Sequence, residues 1–322
     1  GLGYWALVGM RMASTLTTTV AAWIVEPWRP GLPRRHIGAA GMLRFGGLLT
    51  GVNLMNYLWR NVDNVLIGWF WGPHSLGLYQ KAYGLLMLPI TQVNSPISGV
   101  AVAALSRIQS DSKRHARYFV GGFSITVAIV LPIVVAATIF AEEIIRFVLG
   151  QQWVAAVGIF RWLAPAALIG ALLNPLGWLF ISSGRADRQL RAGFVWSPII
   201  ILGFALGLGF GPQGVAIGYS AMSAVMAIPL CMYAVHGTSV RVMDIAKALK
   251  NPLIAGAFAG LAGLFVQSQL ADSIPVGVRA IAGCFVVSLV YALVLLVVLR
   301  QWKPYRELVR LALSPRPSDH DQ

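Results

Sequence analysis

Nine long apolar stretches alternate with short polar segments along this chain. They lie at 3–25, 42–70, 79–105, 118–140, 154–183, 192–210, 214–235, 252–270 and 276–299. Each is long enough to cross a hydrocarbon core about 30 Å thick, which takes roughly 20 helical residues. The pattern predicts an all-α fold, a polytopic transmembrane helix bundle of about nine spans.

Basic residues collect at every second gap between these stretches. Those gaps and the tail hold 19 of the 25 Lys and Arg residues: Arg29, Arg34, Arg35, Arg44, Arg107, Lys113, Arg114, Arg117, Arg185, Arg188, Arg191, Arg241, Lys247, Lys250, Arg300, Lys303, Arg306, Arg310 and Arg316. The opposite gaps hold Arg146 and Arg279. Because short cytoplasmic loops are enriched in Lys and Arg, we expect a multi-pass protein of the bacterial inner membrane with a cytoplasmic C-terminus.

Composition supports a membrane protein and removes other classes. Apolar residues make up 57% of the chain and charged residues 11%, which leaves too little polar surface for a soluble domain. The net charge of +14 lies in short loops, where it anchors spans to an anionic leaflet, so no nucleic-acid partner is expected. Cys231 and Cys284 lie alone inside apolar spans, so neither a metal nor a cofactor is expected.

The second apolar stretch carries the most polar residues. Its polar positions are separated by three, four, three and one residues, which places them on one helical face: Asn53, Asn56, Arg60, Asp63 and Asn64. A charge at mid-bilayer costs at least about 2.5–3.5 kcal/mol, so this face should not meet lipid. It is either a buried Arg60–Asp63 pair that fixes helix packing or the wall of a cavity, and the three asparagines favour the cavity.

Isolated basic residues in other spans indicate a positive cavity. Arg11 lies in the first stretch, Lys81 in the third and Arg161 in the fifth, and with Arg60 they outnumber the one acid, Asp63. Lys81 and Arg161 lie close enough to span ends to reach the interface instead. A cavity that collects these residues suits an anionic ligand such as a pyrophosphate.

Prolines inside the spans predict helix kinks. The positions are Pro89, Pro96, Pro132, Pro165, Pro175, Pro198 and Pro229. A proline leaves a carbonyl of its helix without a partner, and neighbouring side chains or water must satisfy that carbonyl. Such kinks suit a transporter that opens alternately to both sides, although static membrane proteins also contain them.

Several short motifs occur in order between residues 40 and 235. They are Arg60-Asn61-Val62-Asp63-Asn64-Val65-Leu66-Ile67-Gly68, Leu76-Gly77-Leu78-Tyr79, Ala104-Leu105-Ser106-Arg107, Leu149-Gly150-Gln151-Gln152-Trp153 and Ser183-Gly184-Arg185-Ala186-Asp187. Together they resemble the polysaccharide transporter family, the Wzx-type flippases, of the multidrug/oligosaccharidyl-lipid/polysaccharide exporter superfamily. One departure is Ala103, where relatives often have proline.

The resemblance implies a two-lobed exporter fold with six helices in each lobe. On that basis residues 1–38 are the last helix of the first lobe plus a cytoplasmic linker, and 39–236 form the second lobe. Residues 237–302 then supply two additional helices, and 303–322 form a basic cytoplasmic tail. The chain opens without Met or a basic leader segment, so we expect an N-terminally truncated fragment.

The resemblance also implies a function. A protein of this family moves an undecaprenyl-diphosphate-linked oligosaccharide across the cytoplasmic membrane by alternating access, for exopolysaccharide, O-antigen or capsule biosynthesis. Its partners would be the lipid-linked oligosaccharide, membrane lipids, and the polysaccharide polymerase and export machinery. We expect the substrate cavity to include Arg60, Asp63, Asn53, Asn56, Asn64, Arg11 and Arg161.

Three alternatives stay open from the sequence. A drug or cation antiporter of the same superfamily would use more than one membrane acid, and only Asp63 is deeply placed. A membrane glycosyltransferase would need a catalytic acid or His set and usually a long external loop, and the external gaps are short, so no enzyme is expected. An inactive truncated remnant is the third alternative.

Overall fold

The computed structural model describes residues 4–26, 40–270 and 274–301, apart from the side chains at 4, 7, 40–56, 58–60 and 186. The described residues form helices without any β-strand. The helices are α1 (Tyr4–Val25), α2 (Ala40–Arg107), α3 (Ser112–Ile139), α4 (Ala141–Val148), α5 (Val157–Leu173), α6 (Leu176–Ser182), α7 (Ala186–Gly207), α8 (Gly211–Val235), α9 (Val242–Gln269) and α10 (Val276–Leu293). Short 3-10 turns at Gln151–Ala156 and Leu208–Phe210 precede α5 and α8, and a π-helical turn at Val294–Val298 follows α10.

The chain divides into two compact units, Gly1–Tyr57 and Leu58–Gln322. The first unit contains α1, where the hydroxyls of Thr15, Thr17 and Thr18 donate to carbonyls one turn earlier at 2.8–3.0 Å. These bonds satisfy polar side chains within the helix itself. The second unit contains the helix bundle described below. The predicted domain boundaries at 38/39, 236/237 and 302/303 remain predictions.

Helix α2 reverses direction at Gly72. This residue has φ 76° and ψ 176°, a conformation that glycine adopts without a steric penalty. Across the reversal, the Tyr79 hydroxyl donates to Asp63 Oδ2 at 3.0 Å. A continuous helix would separate these residues by about 24 Å. Residues 61–71 and 73–107 are therefore two antiparallel arms, with Pro73 opening the second arm where its missing N–H is harmless.

A second reversal of the same kind joins α7 to α8. Gly211 also has φ 76°, and Pro212 follows it in the first turn of α8. The two reversals lie side by side, since Trp71 Nε1 donates to the Leu208 carbonyl at 2.8 Å. Both Gly-Pro pairs thus mark the same end of the second unit.

Glycines bring α7 and α8 into backbone contact. Gly203 and Gly207 face Gly218 and Gly214, so that a Cβ at Gly203 would lie 2.7 Å from the Gly218 carbonyl oxygen. A Cβ at Gly207 would collide with the Gly214 carbonyl. Pairs of glycines four residues apart allow this close approach between membrane helices, where the hydrophobic effect does not drive association.

Helix α9 packs on α3 through a similar glycine face. Its glycines recur at three- and four-residue spacing, at Gly256, Gly260 and Gly263. A Cβ on Gly256 would lie 3.0 Å from Leu131 Cδ2, and one on Gly263 would lie 3.0 Å from Ile139 Cδ1. These contacts hold the α9–α10 pair against α3.

Six helical stretches are long and apolar enough to cross a membrane. In the searched part of the chain these are Asn61–Arg107, Ser112–Ile139, Gln151–Ser182, Asp187–Val235, Val242–Gln269 and Val276–Val298. The predicted count of nine is not confirmed. The difference arises partly because two of the six contain the reversals at Gly72 and Gly211, so each combines two predicted spans. Helix α1 is not among the six.

Three basic loops lie together at the end opposite the Gly-Pro reversals. Arg185 and Arg188, before and within α7, donate to the carbonyl of His236, which follows α8. His115, at the start of α3, lies 2.9 Å from the Ser182 hydroxyl at the end of α6. The loops near 107–117, 183–191 and 236–250 therefore share one end, as their charges predicted. Which side of the membrane this end faces remains a prediction.

Candidate functional site

Asp63 is, with Glu143, one of two buried acids in the described part of the bundle. Its side chain is 8% exposed, and its two oxygens accept hydrogen bonds from the Tyr79 hydroxyl at 3.0 Å and the Asn64 backbone N–H at 2.8 Å. A buried carboxyl group needs such donors because burial without them is costly. The arm of α2 at residues 61–71 supplies Asp63 and Asn64, and the reversal at Gly72 brings Tyr79 to them.

Polar and aromatic side chains surround this acid. Asn64 Nδ2 donates to Asn61 Oδ1 at 3.2 Å, one turn earlier on the same arm. The ring of Tyr79 stacks on that of Tyr83, with centroids 6.4 Å apart. The site therefore offers a carboxylate and two amides at one level of an otherwise apolar helix pair, with aromatic rings beside them.

Sequence reasoning predicted the acid but not its partner. It weighed an Arg60–Asp63 pair within one helix against a cavity wall and favoured the cavity, and the side chains of Arg60, Asn53 and Asn56 lie outside the described residues. Their roles stay predictions. Tyr79 was noted only as part of a family motif, although the Gly72-Pro73 pair between two apolar runs signals a chain reversal that would bring it back towards Asp63.

Arg11 and Arg161 are both exposed. Arg11 lies on α1 in the first unit, and its carbonyl accepts the Thr15 hydroxyl at 3.0 Å. Arg161 lies on α5 in the second unit, on an exposed stripe with Trp162 and Pro165. Among the described residues Arg161 has no ion-pair partner. The structure does not join Arg161 to Asp63, so the shared positive cavity remains a prediction.

Lys81 lies at the surface. Its Nζ is 5.7 Å from the centre of the Trp153 ring, a cation–π distance. Trp153 belongs to the turn that precedes α5, near the end that carries the Gly-Pro reversals. This position supports the interfacial interpretation of Lys81 rather than a place in a deep cavity.

A serine on α8 bonds the backbone of α5 beside Pro165. Ser220 Oγ donates to the Trp162 carbonyl at 2.5 Å and accepts the Ala166 N–H at 3.2 Å. In a regular helix these two backbone groups would bond each other. The serine hydroxyl is inserted between them, which is a recognised cause of helix bending. The carbonyl that Pro165 itself leaves without a helical donor is that of Arg161, so the expectation that neighbours satisfy such carbonyls stays a prediction.

A second polar chain crosses the break between α5 and α6. Trp178 Nε1 donates to Ser98 Oγ at 3.0 Å, and Ser98 Oγ donates to Asn174 Oδ1 at 3.1 Å. One turn from Ser98, Asn94 is 8% exposed. This chain connects the long arm of α2 to the segment around Pro175, and it places Asn174 in a structural contact.

No metal centre occurs in the described ranges. Groups of three or more His, Cys, Asp or Glu side chains are absent from residues 4–26, 40–270 and 274–301. The groups present at Asp63 are a carboxyl and two amides, which suit recognition of a polar ligand by hydrogen bonds.

The first 158 residues match the family model described as "Polysaccharide biosynthesis protein". The match covers just under half of the chain, 158 of its 322 residues. It is 27% identical over 188 residues to teichuronic acid biosynthesis protein TuaB of Bacillus subtilis (strain 168), covering 58% of this chain and 38% of that protein. It is 25% identical over 228 residues to lipopolysaccharide biosynthesis protein WzxC of Escherichia coli (strain K12), covering 69% and 46%.

Other comparisons extend the same picture. Amylovoran biosynthesis protein AmsL of Erwinia amylovora is 25% identical over 194 residues, covering 60% of this chain and 49% of that protein. A solved structure, "Lipid II flippase MurJ, inward closed conformation", superposes with a TM-score of 0.63 at 18% identity. That match covers 86% of this chain and 57% of the other, and it shows a shared fold. The chain spans less than half the length of the curated relatives it matches.

Proposed function

We propose that the protein flips an undecaprenyl-diphosphate-linked oligosaccharide across the cytoplasmic membrane by alternating access, for exopolysaccharide, O-antigen or capsule biosynthesis. The observation that carries this proposal is the buried polar group at Asp63, set in a membrane bundle with the fold of a lipid II flippase. Relatives named for teichuronic acid, lipopolysaccharide and amylovoran biosynthesis support a saccharide substrate.

The polar arm, residues 61–71 of α2 with Asn61, Asp63 and Asn64, carries groups that fit a sugar ligand. The Asp63 carboxyl and the amides of Asn61 and Asn64 offer acceptors and donors that match sugar hydroxyls. A basic residue on the same face, Arg60, would bind the diphosphate through a planar fork of donors. In this proposal the protein moves its substrate without altering covalent bonds, so it acts as a transporter and not as an enzyme.

Helix α5, which contains Pro165, would supply part of the motion. Pro165 removes a backbone donor, and the Ser220 hydroxyl on α8 bonds the Trp162 carbonyl and the Ala166 N–H beside it. Helix segments that pivot at such points allow a bundle to open alternately to its two sides. The basic end would face the cytoplasm, where substrate is loaded, and the polymerase and export machinery would receive the product outside.

The test is complementation of a deletion strain with the complete gene. We expect Arg60→Ala and Asp63→Asn each to abolish surface polymer while lipid-linked intermediates accumulate on the cytoplasmic face. Arg117→Gln serves as the matched control because it removes a positive charge at the exposed start of α3. Immunoblots of membranes would verify equal expression.

Three results would contradict the proposal. Normal polymer from the Arg60→Ala and Asp63→Asn strains at wild-type expression would remove these residues from the substrate path. A deletion strain with intact polymer and an altered drug or cation tolerance would instead favour an antiporter. An unaltered deletion strain would favour an inactive remnant.

A further inference from the structure

A groove between α7 and α8 opens at the basic end of the second unit. It encloses about 270 Å³. Arg191, Val195 and Trp196 line it from α7, and Met226, Leu230 and Tyr233 line it from α8. The groove thus has one charged side chain at its basic end and an apolar wall below it.

The groove follows from how the two helices pack. Near the Gly-Pro reversal, the glycines at 203, 207, 214 and 218 hold the backbones in contact. Towards the basic end the facing positions carry larger side chains, and the space between the helices stays open. From Met226 to Tyr233 the groove runs about 10 Å along the helix axis, a third of a hydrocarbon core about 30 Å thick.

The three arginines beside the groove have different partners. Arg185 and Arg188 donate to the carbonyls of Tyr233, His236 and Gly237, which satisfies the C-terminal end of α8. The Arg188 guanidinium also lies 4.7 Å from the Tyr233 ring centre.

Arg191 differs from the other two because its side chain is 75% exposed and, among the residues that the structure describes, its ion-pair partner is Asp187 alone, at 3.6 Å. An exposed pair at that distance contributes little, so the Arg191 guanidinium is available to a ligand.

We propose that this groove binds one anionic phospholipid from the surrounding bilayer, with its phosphate on Arg191 and the upper part of an acyl chain along Val195 and Leu230. Charge complementarity identifies the occupant. The groove opens where three basic loops meet, and a phosphate there would be attracted by Arg188 as well as by Arg191. The apolar wall below matches an acyl chain and not a soluble anion. This site is separate from the polar arm at Asp63 and does not depend on the proposed function.

The site would couple lipid composition to the arrangement of α7 and α8. A lipid in the groove would fill the open half of the α7–α8 interface. In the other half of that interface, the glycine backbones of the two helices are already in contact. The lipid would therefore stabilise the α7–α8 hairpin by binding the folded state only.

Native mass spectrometry of the purified protein with phosphatidylglycerol and phosphatidylethanolamine tests the proposal. We expect phosphatidylglycerol to be retained preferentially and to raise the unfolding temperature. Arg191→Gln should weaken phosphatidylglycerol retention by about tenfold, the effect expected for one charge-assisted hydrogen bond. Asp187→Asn should strengthen retention because it removes the competing carboxylate. Arg117→Gln is the control that changes net charge by the same amount away from the groove.

A second variant tests the apolar wall without changing charge. Val195 lines the groove and is 63% exposed, so Val195→Trp should fill the groove and reduce retention while the lipid-free unfolding temperature stays unchanged. Equal retention of the two phospholipids, or equal effects of Arg191→Gln and Arg117→Gln, would overturn the proposal. So would tighter retention of undecaprenyl phosphate than of phosphatidylglycerol, because the occupant would then be the carrier lipid.

Discussion

Gly207 is the position where a single methyl group should separate two membrane helices. In Gly207→Ala the new Cβ would collide with the Gly214 carbonyl, a backbone group that cannot rotate away. At Gly203 the clash is milder, since a Cβ would lie 2.6 Å from Met222 Cγ and 2.7 Å from the Gly218 carbonyl oxygen. Helices α7 and α8 would have to move apart, and the close packing along this face would be lost.

The magnitude follows from two opposing effects. Forcing extra volume into a tight interface typically costs about 1–3 kcal/mol. Replacing glycine by alanine inside a helix gains up to about 1 kcal/mol from propensity. We therefore expect Gly207→Ala to destabilise the protein by about 1–2 kcal/mol.

The matched control reverses the sign. Gly193 lies on the same helix with no atom within 4 Å of an added Cβ, so Gly193→Ala should gain propensity without a clash and be neutral or stabilising. Unfolding of purified protein in mixed micelles, followed by circular dichroism over an SDS titration, measures both variants. Equal stability of Gly207→Ala and Gly193→Ala would refute the close approach of α7 and α8.

Three further results are expected from the same unfolding measurement. A double-mutant cycle of Asp63→Asn and Tyr79→Phe should give a coupling free energy of about 1–2 kcal/mol, since the Tyr79 hydroxyl donates to the buried Asp63 carboxyl. Additive effects of the two substitutions would exclude that hydrogen bond. Ser220→Ala should cost about 1–3 kcal/mol because the Trp162 carbonyl and the Ala166 N–H would lose the hydroxyl that bridges them. Adding Pro165→Ala to this variant should recover stability because the regular helical bond between the two groups can form again. No recovery would contradict the bridging role of Ser220. Arg188→Gln should cost about 1–2 kcal/mol and should speed amide hydrogen exchange after α8. Arg188→Lys should not restore stability, because a lysine lacks the planar fork that reaches the carbonyls of both Tyr233 and His236. Full stability of Arg188→Lys would show that the charge alone matters.

Much of the fold was predictable because its signals are local. Apolar runs of span length identify membrane helices, and the alternation of basic gaps predicted that the loops near Arg117, Arg185 and Lys247 share one end. The acid at Asp63 was predictable as a residue that must avoid lipid. These inferences need only the residues within one helix or one loop.

The span count shows where local signals become ambiguous. The apolar run around Gly72 predicted two spans, and the structure has two antiparallel arms there, joined at a non-helical Gly72 within one helical stretch. The Gly72-Pro73 pair predicts the reversal. Whether the two arms count as one helical stretch or as two depends on how closely the reversal joins them.

The sequence by itself determined that the protein is an all-helical, multi-pass membrane protein, its resemblance to the polysaccharide transporter family, and the presence of a polar group in an apolar helix. Only the tertiary structure decided which side chains meet: Tyr79 for Asp63, Ser220 for the break at Pro165, and the carbonyls after α8 for Arg188. The physical reason is the distance along the chain over which each effect acts. Hydropathy and charge act residue by residue along the chain, whereas a hydrogen bond needs two atoms within about 3 Å, and the chain separates these partners by 16 to 58 positions.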